Sequence, residues 1–286
     1  MKKNYGKDDA VLREKWESLT LANNFVFYKV MRNNPDVCRH LIEILLGIKI
    51  ERMRITGEET IAMDYDSHGI RLDVYAKSQE RVFDIEMQVV NTRDLPERAR
   101  YYQGVMDLDN LKAGQMYGEM KSSHVIFICM EDIFRNGLPV CTFENVCVED
   151  RKTKLNDGTY KHFFIAQTCA KLLEEGEAKE FFRFLTSSRA ENAYTGRLKS
   201  LVENARHNMQ WRMQYMTWER QRAYDLKQGR EEGARENALA NARTLLSLGV
   251  DTQTVSKGCS LPLEKVLALK KEITGLELAG EHPILQ

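Results

Sequence analysis

No stretch of this chain approaches the ~18 consecutive apolar residues that a membrane-spanning helix requires, so a membrane partner is not expected. The opening segment, MKKNYGKDDAVLREKWE, has no apolar core of the kind a secretory signal carries and reads as a loose polar lead-in. Net charge is also missing: 42 basic residues balance 42 acidic ones, so any attraction to nucleic acid has to come from local patches. The six cysteines (Cys38, Cys129, Cys141, Cys147, Cys169 and Cys259) contain no C-x-x-C pair and no His/Cys cluster of zinc spacing. Most sit in apolar surroundings, as in FICM around Cys129 and NVCV around Cys147, which predicts buried, reduced thiols in a cytoplasmic protein. The six histidines are scattered and suggest no histidine-based hydrolase. No glycine-rich loop of the G-x-x-x-x-G-K-[ST] type occurs, which argues against an ATP-driven machine.

What the chain does contain is a pair of alternating segments, Arg71 to Lys77 (RLDVYAK) and Arg81 to Val90 (RVFDIEMQVV), separated only by the polar Ser78-Gln79-Glu80. Alternation of apolar and polar residues is the mark of half-buried strands, and so short a connection predicts an antiparallel hairpin. Reversal at Gln79-Glu80 sets Asp73 opposite Glu86 and Arg71 opposite Gln88. Leu72, Val74, Ala76, Phe83, Ile85 and Met87 then share a core-facing side. Arg71, Asp73, Tyr75, Asp84, Glu86 and Gln88 share the other. Facing residues of such a pair have Cβ atoms roughly 4.5–5.5 Å apart. Two carboxylates held that close repel unless they share a proton or bind a cation. A solvated amphipathic sheet would show the same alternation.

At 286 residues the chain is longer than a typical single domain. A helix opens at Pro35-Asp36 with the stripe Val37, Leu41, Ile42, Leu45, Leu46 and stops at Gly47. Ile48 to Met63 reads as one long or broken strand, and the hairpin follows it. Glu97 to Lys112 is helical, and His124 to Met130 is a buried strand. The order is helix, three strands, helix, strand. Asn156-Asp157-Gly158 marks a hairpin turn, and Glu174 to Leu185 a short helix. A long helical stretch begins at Leu198, its stripe running through Val202, Ala205, Met209, Met213 and Met216. The last forty residues read as two short helices about a Gly258-Cys259-Ser260 turn, with Ser260 as N-cap of the second, in helix-turn-helix outline. Lys265, Lys270 and Lys271 are its phosphate-contact candidates. A small dimerisation element fits this outline as well as a DNA reader does.

The α-β-β-β-α-β order, with Asp73 on the second strand and Glu-x-Gln on the third, resembles the PD-(D/E)XK nuclease superfamily. Within it, the chain is most similar to the transposase-like branch, the recombination-promoting nuclease (Rpn) family. The fragments LTLANNFVFYKVM, LLGIKI, DYDSHGIRLDVYAK, VFDIEMQ, RARYYQGVMD, SHVIFICMEDIF, LNDGTYK and GREEG carry the resemblance by their order and spacing. It implies a mixed α/β fold, with a restriction-endonuclease-like αβββαβ core and a helical C-terminal extension. The expected organisation is a nuclease-like domain over 1–196, with its core about 18–134 and a hairpin and short-helix extension over 135–196. A helical arm over 197–245, a candidate for homodimer formation, and a helix-turn-helix-like segment over 246–286 follow it.

The resemblance also implies a Mg²⁺-dependent endonuclease acting on double-stranded DNA, with Mn²⁺ as an alternative cation, in recombination or mobile-element biology. Asp73 and Glu86 correspond to the metal-binding acids, and the backbone carbonyl of Met87 to a third ligand. Gln88 stands where the wider superfamily has lysine. It can orient water by hydrogen bonding but carries no charge to stabilise a developing anion. Its bland role is pairing with Arg71 across the hairpin. Relatives often carry Asp where this chain has Asn23-Asn24, and the "PD" proline is replaced by Leu72. Asp84 and Tyr75 lie on the acid face as outer candidates. Arg98, Arg100, Tyr101 and Tyr102 on the next helix are placed to meet phosphate or the acids. Glu43 is a candidate further acid, with an ion pair to Arg39 as the simpler account. These departures support a second reading: a weak or inactive nuclease-fold protein that binds DNA and regulates.

Overall fold

The structure, a computed structural model, describes residues 5–56, 60–61, 70–71 and 73–280. It contains two compact units, Met1–Tyr215 and Met216–Gln286. The first is built on a six-stranded mixed sheet. Its strands are β1 (Met53–Ile55), β4 (Val74–Ser78), β5 (Arg81–Gln88), β6 (Ser122–Cys129), β7 (Val140–Phe143) and β8 (Thr159–Ile165), in the spatial order β1-β4-β5-β6-β8-β7. β2 (Thr60–Ile61) and β3 (Ile70–Arg71) form a separate two-stranded ribbon, so the strand expected over Ile48 to Met63 is broken.

The hairpin register is the expected one: Val74 faces Ile85, Tyr75 faces Asp84 and Ala76 faces Phe83. Arg71, however, pairs with Thr60 in the ribbon and is not part of the β4–β5 ladder, which corrects its expected place opposite Gln88. β5 continues into parallel pairing with β6, and β6 with β8. Parallel neighbours need a crossover. Between β5 and β6 it is supplied by α4 (Leu95–Asn110).

Both faces of the hairpin are covered, so the solvated amphipathic sheet is ruled out. α2 (Asn24–Asn33) packs on β4 and β5. On the acid side, α4 buries Leu95, Ala99, Tyr102, Val105 and Met106, a stripe at three- and four-residue spacing, in one cluster with Tyr75, Val82, Val125 and Phe127. Burial therefore runs without interruption from Val82 to Met87, acids included. α3 (Pro35–Leu46) ends at Gly47, whose φ of 64° is the left-handed conformation that glycine adopts without a Cβ clash.

Residues 5–17 are not a loose lead-in. They form α1 (Tyr5–Glu17), whose Trp16 is only 1% exposed, packs against Phe25 and Tyr215, and donates through Nε1 to the Arg206 carbonyl at 2.8 Å. The charge-rich composition of the segment hides this single anchoring side chain. α5 (Ala166–Leu172) and α6 (Glu177–Ser187) follow β8. α7 (Ala193–His207) opens with a capping box between Asn192 and Thr195, packs on α2 and α6, and its Tyr194 hydroxyl donates to the Val37 carbonyl at 3.0 Å.

The helical stripe expected from Leu198 to Met216 is interrupted at Asn208, which ends α7; its Oδ1 accepts from the Trp211 amide as α8 (Met209–Ser247) begins. Leu198, Val202 and Ala205 are buried, whereas Met209 and Met213 are exposed. The reversal between β7 and β8 also differs from expectation. A bridge joins Val146 to Lys154, and the chain turns at Asp150-Arg151, with Arg151 at φ 55°. Asn156 and Gly158 instead bend the strand as it enters β8. Cys147 is half-exposed and donates to Glu149, unlike the buried Cys38, Cys129, Cys141 and Cys169; all six thiols are free.

In the second unit, α8 ends before Gly249, and α9 (Thr252–Gly258) and α10 (Leu263–Gly280) follow. Ala242, Leu246, Val255, Val266 and Leu269 form its small core. Asp251 caps α9 through bonds from the Gln253 and Thr254 amides. Ser260 adopts φ 53° in the turn after α9, two residues short of Pro262, and α10 begins only at Leu263. It is therefore a turn residue, not the N-cap expected for α10.

Candidate active site

Asp73 lies one residue before β4, and Glu86 near the end of β5. The Asp73 amide donates to Glu86 Oε1 at 2.9 Å, and the Met87 amide donates to Asp73 Oδ2 at 3.4 Å. The two side chains thus reach across the hairpin and are each tied to the other strand's backbone. Along a strand, the N–H and C=O of one residue point to the same neighbour. Since the Met87 N–H faces Asp73, its carbonyl faces that side too.

Asp84 joins them. It is fully buried, its carboxylate oxygens meet no N–H or O–H donor, and its one polar neighbour in hydrogen-bond reach is the Glu86 carboxyl. Burial pushes Asp84 well above the usual carboxylate range, and the neighbouring Asp73 pushes it further. Burial likewise raises Glu86 well above its ordinary value, reinforced by Asp73 and Asp84 and opposed by the Asp73 amide and Arg98. Two unit charges ~4 Å apart at an effective dielectric of ~20 repel by about 4 kcal/mol, a sizeable part of the net stability of a domain. Such a trio holds protons or a cation. Sequence reasoning left Asp84 outside the pair; its parity with Glu86 on β5 was the available signal, and its complete burial under α4 was not readable.

Arg98, on the first turns of α4, faces the acids. Its Nη1 donates to Gln88 Oε1 at 3.0 Å and its Nη2 to Glu86 Oε2 at 3.4 Å. Nε and Nη2 both donate to the Tyr102 hydroxyl, at 3.2 and 3.0 Å. Burial and the nearby Glu86 push the Tyr102 phenol up to about 12, so it stays protonated. Gln88 is therefore held by Arg98, and its amide nitrogen donates to the Val90 carbonyl. Arg100 and Tyr101 lie on the exposed side of α4.

The remaining candidates are engaged elsewhere. Asn23 caps α2, its Oδ1 accepting from the Phe25 and Val26 amides. Glu43 does not pair with Arg39: its Oε1 accepts from the Ile50 amide at 2.8 Å and its Oε2 lies 3.9 Å from His40 Nδ1, while Arg39 donates to the Ile50 carbonyl. Tyr75 donates to Asp109 at 3.0 Å, beside the Lys77–Asp109 ion pair. Two histidines are not scattered at all. His124 Nδ1 and His162 Nε2 are 3.1 Å apart on the neighbouring strands β6 and β8, with their rings stacked at 9°.

The donor set around Asp73 is oxygen only, it includes a buried acid that meets no hydrogen-bond donor, and it strains against its own charge. That fits a hard divalent cation. Among the described residues no group of three or more His, Cys, Asp or Glu side chains is placed so that it could hold a metal ion.

The family model described as "PD-(D/E)XK nuclease family transposase" matches residues 21–232. The chain belongs to this family. The match contains the sheet, the acid cluster and Arg98, and runs into α8. No curated protein and no solved structure shows significant similarity to the chain. No helix among the described residues is long and apolar enough to cross a membrane.

Proposed function

We propose that the protein is a Mg²⁺-dependent endonuclease that hydrolyses phosphodiester bonds of double-stranded DNA, in recombination or mobile-element biology. The observation carrying this reading is the reciprocal tie between Asp73 and Glu86, beside the buried Asp84, which meets no hydrogen-bond donor. Asp73, Glu86 and the Met87 carbonyl are the groups that would hold the cation, with Mn²⁺ as a substitute. When bound, it neutralises phosphate charge and lowers the pKa of a coordinated water. Gln88 orients that water by hydrogen bonding. The water oxygen forms a new bond to phosphorus as its proton passes to solvent, the bond to the leaving sugar oxygen breaks, and that oxygen takes up a proton from solvent. The free cysteines support a reducing compartment, the cytoplasm. The expected boundary at 196/197 falls inside α7, which packs in the first unit, so we assign residues 1–215 to the nuclease-like domain, 216–245 to a helical arm suited to homodimer formation, and 246–286 to a helix-turn-helix-like segment.

Plasmid cleavage by purified protein, with Mg²⁺ and with chelator, tests the reading. Wild type should nick DNA only with Mg²⁺, and Asp73→Ala should not. Equal nicking by both proteins would sink it.

A second reading is a nuclease-fold protein that binds DNA without cutting it. The neutral Gln88 and the Arg98 bond to Glu86 favour it, because an internal cation already meets part of the acid charge. Salt-sensitive duplex binding, without any calorimetric Mg²⁺ signal, would select this alternative.

A further inference from the structure

Position 88 presents a chemical shortfall. A glutamine there accepts or donates hydrogen bonds but cannot offset the negative charge that builds on a phosphate under attack. The structure sets a cation beside it from a different element. Arg98 spans Gln88 Oε1 at 3.0 Å and Glu86 Oε2 at 3.4 Å, and its guanidinium lies 5.4 Å from the Tyr102 ring centroid and 5.6 Å from that of Phe127. Two aromatic faces and the Tyr102 hydroxyl fix its plane, while about a quarter of the side chain (27%) stays open to solvent. Arginine keeps its proton under all ordinary conditions, so it cannot act as a base. Gln88 is held at both ends, its oxygen by Arg98 and its amide by the Val90 carbonyl. A lysine at position 88 has no acceptor to offer Arg98 and would repel it.

We propose that Arg98 supplies, from α4, the positive charge that Gln88 cannot offer a phosphate under attack, and that Gln88 is the positioning residue that aims it. The inference rests on the nuclease reading. It accounts for a glutamine at the end of β5 and for a half-buried arginine forked between that glutamine and an acid.

The test uses the full chain and its Arg98→Gln, Arg98→Lys and Arg98→Gln/Gln88→Lys variants. Readouts are single-turnover DNA cleavage, Mg²⁺ binding by calorimetry, and thermal melting. Arg98→Gln should cut ~100-fold more slowly, the scale of losing one charge-stabilising donor. It should bind Mg²⁺ as tightly as wild type or more tightly, because the cation competing for Glu86 has gone. Arg98→Lys should fall between, keeping charge but losing the fork. Adding Gln88→Lys to Arg98→Gln should restore cleavage at least ~10-fold, since charge then returns along the strand.

Wild-type cleavage by Arg98→Gln overturns the inference alone. So does a parallel loss of cleavage, Mg²⁺ binding and melting temperature, which marks a purely structural arginine. A folded double variant that regains nothing overturns it too. Wild type that neither cuts nor binds Mg²⁺ removes the nuclease reading, and this inference with it.

Discussion

Glu86 accepts a hydrogen bond from the backbone of Asp73, the residue whose charge it most directly opposes. Glutamine at position 86 keeps an oxygen for that amide, but it removes the charge and the Oε2 acceptor of the Arg98 bond. Relief of the repulsion from Asp73 and Asp84 offsets that loss, so Glu86→Gln should still fold. Mg²⁺ should raise the melting temperature of wild type, as any ligand of the native state does, but not that of Glu86→Gln. Differential scanning fluorimetry with a Mg²⁺ series checks this; an equal rise in both proteins would remove Glu86 from the cation site.

Asp84 has two buried oxygens that meet no hydrogen-bond donor, only the neighbouring Glu86 carboxyl. Leaving a buried polar group unmatched costs on the order of 1–3 kcal/mol, more when charged. Asp84→Asn should stabilise the metal-free protein by about 1 kcal/mol, or roughly 2–4 °C in melting temperature for a unit of this size. A melt in chelator decides it, and a lower melting temperature would show that Asp84 is matched by something other than a proton.

The His124–His162 pair gives acid sensitivity. Burial holds His124 down at about 3 and His162 at about 4, with His162 adding to the effect on His124. Both values lie below the unfolded-state value of about 6.5. The unfolded chain therefore binds protons first as pH falls, and native stability is lost progressively from about pH 6.5 down toward the folded values. Denaturant midpoints measured from pH 7 to pH 4.5 should fall for wild type and fall less for His124→Phe. Parallel curves for the two would overturn the assignment. Raised carboxylates act in the opposite sense, so Asp84→Asn is the background in which the histidine slope stands out.

Trp16 anchors a helix that composition marks as dispensable. Truncating a buried tryptophan to alanine costs about 3–5 kcal/mol. Trp16→Ala should lower the urea midpoint of the first unit accordingly; an unchanged midpoint would return residues 5–17 to the status of a lead-in.

Much of this architecture was legible from residue pattern. Alternation on either side of Ser78-Gln79-Glu80 marked the hairpin and its register, because a one-residue slip would have moved Phe83 and Ile85 out of the core. Pro35 and Gly47 bounded α3. The pairing of Asp73 with Glu86 followed from register, but their environment did not. Alternation says which residues share a face and not what covers that face, so the burial of Asp84 beneath α4 went unread. The histidine pair was hidden for a related reason: His124 and His162 meet only through parallel strands whose pairing no local pattern encodes. Trp16 and Asn208 show the opposite limit, where a single residue decides whether a polar segment docks or a periodic one breaks.

The outermost strands of the main sheet are also its shortest, three residues in β1 and four in β7, against eight in each of the interior strands β5 and β6. A visiting chain seeking to extend the ladder meets only a brief row of open amides and carbonyls on either flank, too little to seed fibril growth. Short flanks of this kind are a geometric guard for the longer strands at the centre.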